Sequence, residues 1–129
     1  MLPADDEPLR AEAFRVRDAY GAGEIDLLVP DVFWAECGNI LWKAVRRGRL
    51  SRVDAESALD SMMRREFRTF PSAQLLPAAL PIAFQFGRAV YDCLYVALAM
   101  QSKTEMITAD ERLANALATH LPVKWLGML

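Results

Sequence analysis

Segments of helix length alternate with short apolar runs along this chain, and that alternation limits the folds open to it. The runs "IDLLVP", "FRTF", "TEMIT" and "VKWL" are strand-like. Between them lie "DVFWAECGNILWKAVRRG", "SRVDAESALDSMMRR", "AQLLPAALPIAFQFG", "AVYDCLYVALAMQSK" and "ADERLANALATH", which read as helices, and "DDEPLRAEAFRVRDAYGAG" reads as a helix ahead of the first strand. Strands that alternate with helices imply a short, mainly parallel sheet with helices on both faces, an α/β architecture. The punctuation agrees. Asp31 is the expected N-cap of the helix that Gly48 closes, and Ser51 with Asp54 three residues later forms a capping-box pattern. Pro81 lies deep enough in its segment to predict a kink or a late helix start there.

At 129 residues the sequence reads as one domain over 1–129, long enough to bury a core. Hydrophobic residues make up 53% and charged residues 25%, which excludes a disordered chain. The net charge of -2 does not advertise a polyanion partner, so nucleic-acid contact has to come from local basic groups. Two such groups are Arg46, Arg47, Arg49 and Arg52, then Arg64, Arg65 and Arg68; they read equally well as solvated helix ends. Cys37 and Cys93 have no CxxC spacing, and with His120 as the sole histidine they cannot complete a zinc site. They read as reduced, buried side chains of a cytoplasmic protein. No signal peptide is expected, and no apolar run approaches the roughly 20 residues of a membrane span.

Three carboxylates stand out against this background. "VYDCLYVALA" holds one acid, Asp92, in an otherwise apolar helix. It is either an N-terminal helix acid favoured by the dipole or a functional group. Glu36 shares a helix face with Phe33 and Ile40, so it must pair, bind a metal or reach water from the edge of the stripe. Asp110 directly follows the strand "MIT", at the strand end where ligands bind in parallel sheets, and it could equally cap the helix behind it. Thr108 and Asn115 are placed to support it. Oxygen ligands without nearby His or Cys suit Mg²⁺ or Mn²⁺. No phosphate-binding glycine loop and no Ser/His/Asp arrangement is present.

The stretches "LLVPDVFWAECGNILWKAVRRGRLS" and "AVYDCLYVALAMQSKTEMITADERLANAL", with the spacing between them, resemble a PIN domain of the VapC toxin type. The resemblance implies a three-layer α/β/α fold and Mg²⁺- or Mn²⁺-dependent cleavage of RNA. It also implies inhibition by a small cognate antitoxin, and a homodimer. Glu36, Asp92 and Asp110 match three of the family's four acidic catalytic and metal-binding positions. The family pattern begins with a strand ending in a further Asp, whereas this chain starts inside the following segment. The first, central strand and its acid are therefore expected to be missing, through a start codon assigned too late or a truncated gene. That loss predicts unpaired strand edges and a weakened enzyme. The competing expectation is a catalytically impaired module that binds antitoxin or RNA without cutting.

Overall fold

The strand that opens the described fold, β1 (Leu28–Pro30), ends at a proline, which has no N–H to continue a ladder. The computed structural model describes residues 27–108 and 110–126; the helix expected ahead of β1 lies outside them. β1 is followed by α1 (Val32–Arg46), α2 (Arg52–Met63), β2 (Arg68–Phe70) and α3 (Ser72–Phe86). Then come α4 (Val90–Gln101), β3 (Met106–Thr108), α5 (Glu111–Leu117) and β4 (Val123–Trp125). This is the alternation expected from the sequence.

The pairing is parallel throughout. β1 lies beside β2 in the register Leu28 to Arg68 and Pro30 to Phe70, and β3 lies beside β4 with Met106 opposite Val123. Among the described residues these are two separate two-stranded sheets, and no described strand joins β1 to β3. α4 makes contact with both β1 and β3, so this helix rather than a hydrogen-bonded ladder bridges the two half-sheets.

The core is built around α4, whose Cys93, Leu94, Val96, Ala97, Leu98 and Ala99 are all buried. α3 supplies Leu75, Ala79 and Ile82, spaced at i, i+4 and i+7 so that they form one stripe toward α4. α5 adds Leu113, Ala114 and Leu117. Each large apolar side chain removed from water here contributes roughly 1.5–3 kcal/mol.

Local chemistry sets the element ends. The Ser51 hydroxyl accepts from the Asp54 backbone N–H at 3.1 Å, the cap expected for α2. α1 stops at Gly48, with φ +70, and α3 stops at Gly87, with φ +64. Both positions need the left-handed conformation that glycine adopts without strain.

Two local expectations are corrected. Asp31 stands at the N-cap position of α1, as expected, but its side chain makes no capping bond; its carboxylate instead accepts from the Ser72 hydroxyl, and its N–H donates to the Phe70 carbonyl at 2.8 Å. That pair of bonds holds the start of α1 to the start of α3. α3 also begins at Ser72, well before Pro81, with Pro77 and Pro81 inside it. The carbonyls of Ala73 and Pro77 lose their helical donors to these prolines. Both residues are on the exposed side, where water replaces the missing bonds.

Buried and exposed positions of α3 differ enough to test the packing. Leu75→Ala, at a site 1% exposed, is expected to lower the unfolding free energy by about 2–5 kcal/mol. Phe84→Ala, at a site 82% exposed, should change it by less than about 0.5 kcal/mol. Urea denaturation of both variants distinguishes the two faces.

Candidate metal centre

Each of the three acids sits near the start of a helix, and a different device holds each in place. Glu36 is on the second turn of α1, just beyond the carboxyl end of β1. It is half-buried, and its Oε1 accepts a hydrogen bond from the Tyr95 hydroxyl. Asp92 is in the first turn of α4, where the helix dipole favours a carboxylate. Asp110 is the N-cap of α5, separated from the end of β3 by residue 109 alone. Its Oδ1 accepts from the Leu113 N–H at 3.1 Å, and its own N–H donates to the Thr108 hydroxyl at 3.0 Å. Both open readings of Asp110 are thus compatible: one oxygen caps the helix while the group stands at the carboxyl end of a parallel strand.

The electrostatics tie the three together. Burial pushes the Asp92 carboxyl above its ordinary range, and the negative charges of Asp110 and then Glu36 push it further the same way. Arg88 opposes them. Negative charges on two other helices therefore act on Asp92, after burial, in the same direction. Among the described residues, no group of three or more His, Cys, Asp or Glu side chains is close enough together to hold a metal ion.

Residues 2–117 match the model of the PIN domain. The chain belongs to the PIN-domain family. Its α/β order of helices and short parallel strands fits that fold. Among curated proteins it is similar to Ribonuclease VapC3 of Pyrobaculum aerophilum, 35% identical over 82 residues that cover 62% of this chain and 63% of the relative. It is also similar to Ribonuclease VapC1 of Mycobacterium tuberculosis, 34% identical over 89 residues, 67% of this chain and 65% of the relative. The chain thus spans less than two thirds of the length of either relative. The resemblance read from the sequence is the one these comparisons give.

Two neighbours of the three acids escaped the sequence reading. Tyr95 lies three residues beyond Asp92, hence on the same face of α4, and it reaches Glu36 across 59 residues of sequence. The i+3 spacing was the available signal, masked by the apolar character of the segment. Arg88, just ahead of α4, supplies the opposing positive charge. Of the supports expected for Asp110, Thr108 is engaged and Asn115 is exposed on α5. Cys37 and Cys93 are free and buried, as expected, and His120 is exposed.

The raised carboxyl has a signed consequence. Between its ordinary 3.8 and its raised folded value, Asp92 binds more protons in the folded chain than in the unfolded one. Stability therefore falls as pH rises through that window, and the penalty is full above it. Asp92→Asn is expected to melt at or above the wild-type temperature at pH 7, with the gap closing as pH falls toward 4. Thermal melts of the metal-free proteins across this range read it directly.

Proposed function

We propose that this chain is a metal-dependent endoribonuclease, the toxin of a toxin–antitoxin pair. Glu36, Asp92 and Asp110 are its catalytic residues and the ligands of Mg²⁺ or Mn²⁺. The observation that carries the reading is where the fold places the acids: Glu36 follows β1, Asp110 follows β3, and Asp92 opens the helix that contacts both strands. The donor set is entirely carboxylate oxygen, and both free cysteines are buried in the core, which fits a hard cation better than zinc. The names of the relatives, Ribonuclease VapC3 and Ribonuclease VapC1, support the reaction class.

Glu36, Asp92 and Asp110 would hold the divalent ion, whose chemistry there would be Lewis-acid polarisation of a phosphate oxygen and a lowered pKa of a bound water. The protein's part is positioning. α4 presents Asp92 from a helix locked in the core, so its Cα cannot retreat from the neighbouring charges. The α5 cap fixes one oxygen of Asp110, Oδ1, through the Leu113 N–H. Glu36 is held through Tyr95. A single RNA strand presents its backbone to such a site more readily than a duplex does. Exposed Lys43, Arg46, Arg47 and Arg49, at and beyond the end of α1, supply positive charge for neighbouring phosphates. No described helix is long and apolar enough to cross a membrane. A cytoplasmic location also agrees with the two free thiols. For an antitoxin or a second copy, the exposed Leu76, Leu80 and Phe84 of α3 offer apolar contact area.

The test is RNA cleavage by the purified chain with Mn²⁺ or Mg²⁺, beside Asp92→Asn and a chelated control. Wild-type cleavage should require the metal, and the variant should lose at least about 100-fold in rate. Equal rates in the two proteins would remove Asp92 from the site. Tight RNA binding with no cleavage under any metal would favour the non-cutting module instead.

A further inference from the structure

We propose that Tyr95 is a positioning residue for this carboxylate centre: its hydroxyl, donated to Oε1 of Glu36, holds Glu36 in the orientation that binds a divalent cation beside Asp92. The inference rests on the metal-dependent reading of the site and adds a residue to it.

The geometry supplies the first argument. Asp92 and Tyr95 are three residues apart on α4, so they stand on one face of the most buried helix in the fold. Glu36 comes from α1, a helix with one buried residue, Cys37. A glutamate on so lightly anchored a helix carries several rotatable bonds, and binding a cation requires that they be fixed. Tyr95 fixes them from the rigid side. It is the one hydrogen-bond donor to Glu36 among the described residues, and it engages a single oxygen, Oε1.

The chemistry of the donor supplies the second argument. An arginine or lysine in this position would order Glu36 equally well, but it would also neutralise the charge that attracts a cation. A phenol orders the carboxylate and adds no charge. A tyrosine hydroxyl is an O–H donor that carries no charge near neutral pH. Partners that hydrogen-bond metal ligands in this way commonly govern affinity as well as geometry.

The experiment titrates Mn²⁺ into the full chain by calorimetry, without RNA, for wild type, Tyr95→Phe, Asp92→Asn, Glu36→Gln and the Glu36→Gln/Tyr95→Phe pair. Melting temperatures and steady-state RNA cleavage are recorded alongside. Tyr95→Phe should weaken Mn²⁺ binding by about 10-fold or more. It should lower kcat while KM for RNA stays within about twofold, because the hydroxyl touches the carboxylate and not the substrate. In the Glu36→Gln background, removing the hydroxyl should cost no further Mn²⁺ affinity, the signature of a residue that acts through Glu36. Wild-type Mn²⁺ affinity and kcat in Tyr95→Phe, with only a lower melting temperature or failure to fold, would overturn the proposal and leave the bond as a tie between α1 and α4. Equal Mn²⁺ binding by wild type and Asp92→Asn would instead bring down the metal reading, and this proposal with it.

Discussion

The burial of α4 is the constraint on which the rest of this molecule depends. The helix packs on α3, contacts strands of both half-sheets, and has six buried residues between Cys93 and Ala99. Its first turn also carries Asp92. Core and site are therefore one object: the packing that removes Leu94 and Val96 from water also removes part of the hydration of the carboxylate just before them. The helix dipole returns roughly 0.3–1 kcal/mol, and Arg88 opposes the repulsion from a distance. Neither cancels the burial and the two neighbouring negative charges, since the carboxyl remains raised. A protein selected for stability alone would place an uncharged side chain there.

The division of the strands follows from the same helix. β1 with β2, and β3 with β4, are three-residue pairs, too short to stand as sheets without a cover. α4 lies against a strand from each. It keeps the carboxyl ends of β1 and β3 within one electrostatic neighbourhood, so that Glu36, which follows the first, and Asp110, which follows the second, are both felt at Asp92. The ties at the start of α1, from Asp31 to Ser72 and from Trp34 Nε1 to Thr69 Oγ1 at 3.1 Å, fix its direction relative to β2 and α3.

Much of this was legible in the sequence, for a physical reason. Periodicity and caps report on a chain a few residues at a time, and the features read correctly were of that kind. They include the helix–strand alternation, the Ser51 cap, the glycine stops at 48 and 87, and the N-terminal place of Asp92 on its helix. The misread features join residues far apart. Asp31 resembles a cap until Ser72, 41 residues away, supplies a hydroxyl that competes for its carboxylate. Pro81 suggests a kink or a late helix start, yet the helix begins at Ser72, and Pro81 itself is exposed. Tyr95 reads as one more apolar residue in "CLYVALA" until Glu36 arrives at its hydroxyl. Residue by residue, each of the three acids has a bland alternative; the family resemblance groups them, and the fold shows Asp110 and Glu36 acting on Asp92.

The three carboxylates are not equivalent, and the difference suggests how the centre works. Asp110 is stabilised by its own helix through the Leu113 N–H, and Glu36 by a neutral phenol. Asp92 makes no side-chain hydrogen bond with another described residue and bears the repulsion of the other two. Two outer acids are thus held in place, while the one at the root of the core helix is left electrostatically unsatisfied. On the proposed reading a divalent cation would offset the burial and the neighbouring negative charges that disfavour the Asp92 anion. Such a centre gathers its binding energy at its most rigid point, because α4 cannot move Asp92 away from its neighbours without opening the core.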